Sequence, residues 1–267
     1  LIVDEVEQLH AGAPDDAPVT RPAQLVRCPT VVDEHDPLVR LKLDVLQAAM
    51  PARSAVVFGD MYIVEGFYTA KCIEHGCERA VLVDSLETAG WQETRIREPR
   101  IDFRKGDFSD PLFMHSIRER FSISVVFDIL LHQPPLLATL HLMLEKTEDA
   151  IAIVQPVLKE RELSNTLVYL PGQPADSNLY PLAERSDEYR AFDVHAVNQS
   201  HWIWGMTPSL IRAVLAGEGF EIVHEQDAGE LQNPQWTWWG CVARRTRENP
   251  QHWSRVPPTP GLFSPTW

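Results

Sequence analysis

The chain has 267 residues, 44% of them hydrophobic and 23% charged, enough apolar material to bury the core of one large domain with additions. Its formal net charge of -14 repels polyanions, which excludes bulk nucleic acid as a partner unless a strong basic patch intervenes. No apolar run is long enough to span a bilayer, and the opening "LIVDEVEQLHAGAPDD" is acidic where a secretory signal would be basic, so a cytoplasmic protein is expected, with no membrane partner.

Residues 1–50 read as an N-terminal cap, loop-like up to residue 36 and then helical. In "DPLVRLKLDVLQAAM" the apolar Leu38, Leu41, Val45 and Leu46 share one helical face after an Asp-Pro start. Short apolar runs follow, "AVVFG", "AVLVD", "RIDFRKGD", "ISVVFDILL" and "AIAIVQPVL", with helical stretches near 66–76, 111–120 and 134–145 between several of them. Near-continuous hydrophobic strands separated by helices predict an α/β domain, its parallel sheet covered on both faces and doubly wound by right-handed crossovers.

The pattern breaks after Gln155. Residues 156–206 carry turn signals such as "LPGQPADSN" and several aromatics with little periodicity, as a lid or binding insertion does. Regularity returns with "TPSLIRAVLAGEGF", a helix with a threonine cap, proline in its first turn and Gly219 near its end. The strands "FEIVHE" and "WTWWGCVARR" close a domain over 51–245, and 246–267 is a proline-rich tail. The basic cluster "ARRTRENPQHWSR" reads as a solvated strand end. Cys28, Cys72, Cys77 and Cys241 lack metal-type CxxC spacing and read as reduced structural thiols.

Ligands of a doubly wound sheet sit beyond the carboxyl ends of its strands. Asp60 follows the first strand, Asp84 ends the second with Ser85 beside it, Asp107 follows the third, and Asp128 and His132 lie in or after the fourth. An acid ending the second strand can accept both ribose hydroxyls of a nucleoside, and an equally simple role is to cap the next turn. An acid after the third can accept from an adenine amino group, with Phe108 near the ring; Ser109 or Asp110 suits the capping of the helix at Pro111 better.

These residues resemble the class I S-adenosylmethionine-dependent methyltransferases over roughly 53–244. The resemblance rests on the acid-and-glycine turn, the two following acids, the block "VVFDILLHQPPLLATLHLML", and "HWIWGMTPSLIRAVLAGEGFEIVHEQD" with its helix ending in Gly-Phe. It implies a Rossmann-like seven-stranded sheet, mostly parallel with one antiparallel strand, and S-adenosyl-L-methionine as cofactor. The family's acid-x-Gly-x-x-x-Gly turn falls on 60–66. Asp60 would orient the cofactor's amino group, Gly66 would open the helix, and Tyr62, Asp84, Ser85, Asp107, Phe108 and Asp128 would complete the cofactor site.

Tyr62 stands where the family has glycine, a position needing close backbone approach or positive φ. Either the loop swings wider and still binds, or the ring lines the cofactor, or binding is lost; the acids of the second and third strands favour the first two. A register using Gly59 remains open. His132, after the fourth strand, is the candidate base for methyl transfer. His201 is the alternative, with Trp202 and Trp204 as walls of an acceptor pocket or as ordinary lid packing. His141 reads as structural. Asp193 and His195 lack a spacing that argues for metal, and none is expected.

The expected activity is methyl transfer to a small-molecule acceptor, with oxygen of a sugar or secondary metabolite as the atom, and a homo-oligomer is compatible with it. The competing reading is a non-catalytic binder or partner subunit on the same fold. A nicotinamide dehydrogenase would need a GxGxxG turn, and the chain has none at the first strand.

Overall fold

Asp36 and Pro37 begin the first helix as their chemistry requires. The Asp36 carboxylate accepts from the amides of Leu38 (2.8 Å) and Val39 (3.1 Å), and proline occupies a first-turn position where an N–H would have no partner. The structure is a computed structural model that describes residues 32–61, 64–133, 135–160, 164–171, 202–230 and 236–246.

In chain order the elements are α1 (Pro37–Ala49), β1 (Ser54–Phe58), α2 (Phe67–Glu74), β2 (Arg79–Asp84), α3 (Ala89–Arg97) and β3 (Ile101–Lys105). Next come α4 (Pro111–Ser116), β4 (Phe121–Phe127), a 3-10 turn (Leu130–His132), α5 (Leu136–Glu145) and β5 (Thr147–Leu158). The chain closes with β6 (Leu167–Pro171), β7 (Trp202–Met206), α6 (Pro208–Gly217), β8 (Phe220–Glu230) and β9 (Trp236–Arg245).

The main sheet has seven strands in the order β3-β2-β1-β4-β5-β9-β8. β1 pairs in parallel with β2 and β4, β2 with β3, and β4 with β5, whereas β9 is antiparallel to both β5 and β8. One strand alone therefore runs against the rest. Chain order reverses at β1 and β4, which puts a switch-point crevice between their carboxyl ends.

The apolar strands bury both faces. Val56, Val81, Val83, Val126, Ile151 and Ile153 pack with Met114 of α4, Leu140 of α5 and Leu215 of α6. Val57, Leu82, Val125 and Val154 pack on the other face with Val45 of α1, Ile73 of α2 and Trp91 of α3. This is the doubly wound architecture that the strand composition predicts.

The differences have local causes. α3 is absent from the sequence reading because "AGWQETRIR" has no apolar stripe; Trp91, fully buried, anchors it. Residues 156–158 belong to β5, and β6 and β7 form a separate antiparallel hairpin within the irregular insertion. β4 ends at Phe127, not within "DILL", because Asp128 takes a left-handed φ of 57°. α4 stops at Ser116, short of residue 120. Pro208 does open α6, but Thr207 makes no side-chain cap; the Ser209 amide donates to Glu160 Oε1, and Thr207 Oγ1 accepts from the Thr166 amide.

Candidate functional site at the carboxyl edge of the sheet

The loop after β1 is shaped by two glycines. Gly59 (φ 71°) lets the backbone pass tightly against Ile129, and Gly66 (φ 82°) is the N-cap of α2, where an added Cβ would lie 2.6 Å from the Trp91 ring. Gly66 therefore opens the helix, as its place in the turn predicts.

Asp60 is buried between them. Its Oδ1 accepts from the Tyr68 amide (3.3 Å), and Oδ2 from the Thr69 amide and hydroxyl (2.6 Å each). The carboxylate does at α2 what a side-chain cap would do, since Gly66 has no side chain to offer. Burial pushes the Asp60 carboxyl up to about 7, against the pull of the Thr69 and Tyr68 hydrogen bonds and with help from the charge of Asp84.

Asp84, at the end of β2, is also buried. Oδ2 accepts from the Met61 amide (3.0 Å) and Oδ1 from the Leu86 amide (2.9 Å), so it both makes the local turn and ties down the loop after β1. Burial raises it to about 6, opposed by those hydrogen bonds. A carboxylate has about four lone-pair sites, more than the backbone amides use here, so it can still accept from a sugar hydroxyl. Met61 is itself buried, with its sulfur accepting from the Thr88 hydroxyl at 3.4 Å.

Beyond β3, Asp107 is exposed and accepts from the Ser109 amide (2.8 Å), while Asp110 caps α4 through the Leu112 amide (2.8 Å). Phe108 is a core residue, its ring 6.0 Å from that of Phe58 at 70°. Ser85 is exposed beside Asp84. At the end of β4, Asp128 Oδ2 is ion-paired with Lys42 of α1, a cation that the motif reading missed because a lysine on an amphipathic helix reads as solvated. Burial raises the Asp128 carboxyl and Lys42 lowers it.

His132 sits on the 3-10 turn after β4, and burial depresses its imidazole to about 4, so it is neutral at neutral pH. The β6–β7 hairpin is docked onto this turn, because the Trp204 indole N–H donates to the Gln133 carbonyl at 2.8 Å. The ring of Trp204 is thereby half-buried at the same edge. His141, on α5, contacts Glu218 (3.1 Å) and Glu145 (3.5 Å), away from the strand ends.

Tyr62, Asp193, His195 and His201 lie outside the described residues, as do the termini at 1–31 and 247–267 and the side chain of Trp202. Among the described residues no cluster of acids, histidines and cysteines could hold a metal, and no helix is long and apolar enough to cross a membrane. Cys72, Cys77 and Cys241 are buried free thiols, and Cys28 is outside the described residues.

No protein-family model and no curated protein matches the chain. Solved structures do. The 1,6-didemethyltoxoflavin N1-methyltransferase of Burkholderia thailandensis, with bound 1,6-didemethyltoxoflavin and S-adenosylhomocysteine, is similar with a TM-score of 0.51 and 18% identity over 80% of each chain. The N-terminal domain of EvdMO1, crystallised in the presence of S-adenosylhomocysteine and D-fucose, gives 0.53 and 15% over 80% of this chain and 84% of that one. The chain has the fold of the class I S-adenosylmethionine-dependent methyltransferases. The [4+2]-cyclase SpnF is similar too, with a TM-score of 0.52 and 11% identity over 77% of this chain and 80% of that one. The methyltransferase fold alone therefore does not decide the reaction.

Proposed function

We propose that this protein is an S-adenosylmethionine-dependent methyltransferase acting on a small-molecule acceptor. The observation that carries the reading is Asp84, which ends β2 and holds the loop after β1 through the Met61 amide. That places an acid and a tight glycine-bounded loop side by side at the switch-point crevice, the arrangement a nucleoside needs. Asp84, raised to about 6, is mostly ionised at neutral pH and Asp60, raised to about 7, partly so, which suits a ligand carrying a sulfonium and an ammonium. The residues present fit the cofactor: Asp84 for the ribose, Asp107 for the adenine edge, and Asp128 with an unbonded buried oxygen toward the amino-acid end.

When bound, the cofactor supplies an electrophilic methyl. This chain's residues have to hold an acceptor in line with it and take a proton from that acceptor. His132, neutral and at the mouth of β4, is the described residue placed to receive a hydroxyl proton, although its low basicity makes it a better orienting group than a strong base. Oxygen of a sugar or secondary metabolite is the acceptor we favour. Neighbours of the same fold crystallised with 1,6-didemethyltoxoflavin or D-fucose support a small organic molecule. We place the protein in the cytoplasm, with no membrane or bulk nucleic-acid partner.

A second reading, a non-catalytic binder or partner subunit, is favoured by Tyr62 in the glycine position and by the engagement of both Asp60 oxygens in α2. Calorimetric titration with S-adenosylmethionine, followed by transfer of labelled methyl to a panel of hydroxylated sugars and phenols, tests the choice. Binding with transfer supports the enzyme, binding without transfer supports the binder, and no heat of binding removes the cofactor from the account.

A further inference from the structure

We propose that Lys42 and Asp128 form a zwitterion-reading pair, in which the Lys42 ammonium takes the α-carboxylate and Asp128 Oδ1 takes the α-ammonium of the cofactor's amino-acid end. This rests on the methyltransferase reading and adds to it a residue from outside the sheet domain's motifs, on α1.

The geometry is unusual for a structural ion pair. Lys42 belongs to a helix whose other buried residues, Leu41, Val45, Leu46 and Ala49, are apolar, yet its side chain is 10% exposed. Its ammonium reaches Asp128 Oδ2 and lies 5.3 Å from the centre of the Tyr68 ring. An ammonium has three donors, and among the described residues the carboxylate of Asp128 is the acceptor it meets. Asp128 in turn leaves Oδ1 buried with no hydrogen-bond partner. The Asp128 side chain is 26% exposed, so the pair stands at the rim of the crevice, half-satisfied, and each member lacks what a zwitterion carries.

Position narrows the ligand. Asp128 adopts a left-handed φ of 57°, a strained state for a residue with a side chain, and one that turns the chain at the carboxyl end of β4. Its amide still continues the ladder to the Val154 carbonyl at 2.8 Å, so the strain is held by the sheet. β4 lies beside β1, across the crevice from the Asp84 end of β2. A ligand whose ribose is at Asp84 therefore extends its other end toward β4. Lys105, another cation at this edge, is half-exposed at the far end of β3 and 3.8 Å from Glu87, so it is poorly placed for the task. Asp60 is already committed to α2 through both oxygens.

The test is calorimetric, with S-adenosylhomocysteine, decarboxylated S-adenosylmethionine and methylthioadenosine titrated into wild type, Lys42→Met, Asp128→Asn and the double variant. Losing one charge-assisted contact corresponds to about 10- to 100-fold, so Lys42→Met should weaken S-adenosylhomocysteine by that factor and leave the decarboxylated compound and methylthioadenosine unchanged. Asp128→Asn should weaken both ligands that carry the ammonium and spare methylthioadenosine. The double variant replaces the ion pair with two neutral groups, which keeps the fold testable should Lys42→Met alone unfold. It should bind all three ligands with nearly equal affinity. Uniform weakening of all ligands, or no weakening of any, overturns the pair and leaves the cofactor reading intact; a wild type that binds none of the three overturns that reading and the pair with it.

Discussion

Asp84 accepts a hydrogen bond from the Met61 amide at 3.0 Å, and this contact, with that from the Gly59 amide to the Val83 carbonyl at 2.9 Å, joins the end of β2 to the loop that follows β1. A side chain placed to meet a ribose is thus also a tether of the loop on which the cofactor would rest. Asp84→Ala should weaken S-adenosylmethionine binding by about 1.5–3 kcal/mol, the range for a charge-assisted acceptor. Calorimetry checks the affinity, and Asp84→Asn separates charge from shape. Asp107→Ala should cost less, because an exposed acceptor is readily replaced by water.

Asp60 and Asp84 set a pH dependence of folding between about pH 4 and 7. Its carboxyl is raised to about 7 and that of Asp84 to about 6, so the folded protein holds protons that an unfolded chain has already released. Their contribution to stability is complete below about pH 4 and is lost as pH rises through 6 and then 7. His132, depressed to about 4, works in the opposite direction between about pH 4 and 6.5, where the unfolded chain binds the proton that the folded one refuses. Two raised carboxyls outweigh one depressed imidazole, so thermal melts should decline from about pH 4 to 7 and level off above that, with Asp60→Asn removing most of the decline. A melting temperature that climbs from about pH 4 to 7 contradicts the assignment.

The same carboxyls make cofactor affinity pH-dependent under the proposed function. A cation favours the ionised acids, so its binding expels protons. S-adenosylmethionine should bind more tightly at about pH 8 than at pH 6, with a heat that varies with the buffer's ionisation enthalpy. S-adenosylhomocysteine, with neutral sulfur, should show a smaller change.

Gly66→Ala should destabilise the protein by about 2–4 kcal/mol, combining left-handed backbone strain with overpacking against Trp91. Gly76 is the control. Its φ is 103° but an added Cβ meets nothing within 4 Å, so Gly76→Ala should show strain alone, about 1 kcal/mol. Denaturant midpoints with unchanged slopes would measure both.

Trp204→Phe keeps the apolar body of the ring and removes the donor to Gln133. Hydrogen exchange should speed up at the amides of β6 and β7, by a factor matching about 1 kcal/mol of lost docking, while β1 and β4 are unaffected. Equal acceleration in the central strands would mean that the hairpin supports the whole fold.

The strands were legible in the sequence because a parallel strand buried on both faces has to be continuously apolar, as "AVVFG" and "AVLVD" are. α3 was not, because one tryptophan does the packing of a whole helix and leaves no periodicity to read. The β6–β7 hairpin was hidden by a different cause: its partners are separated by the long stretch 172–201, beyond the reach of any turn signal. Among site residues, the glycine at 66 announced its conformation, whereas Asp60 and Asp84 announced only that acids stand after strands. A carboxylate reads the same whether it caps a helix, ties a loop or meets a ribose, and here the first two roles are visible in the hydrogen bonds. Lys42 was illegible because its partner Asp128 is distant in sequence and comes within reach only through the fold.

The last strand among the described residues, β9, occupies an interior place in the sheet, between β5 and β8. A nascent polypeptide leaving the ribosome therefore carries an open edge on β5, and an unpartnered β8, until residues 236–245 have emerged and been threaded between them. Such an edge invites pairing with other chains while it is exposed. It also makes fragment complementation feasible: a chain cut ahead of Trp236 is missing an inner strand, and a peptide of residues 236–245 supplied in trans has one defined slot to enter, with Trp239 and Cys241 directed to one face and Val242 to the other.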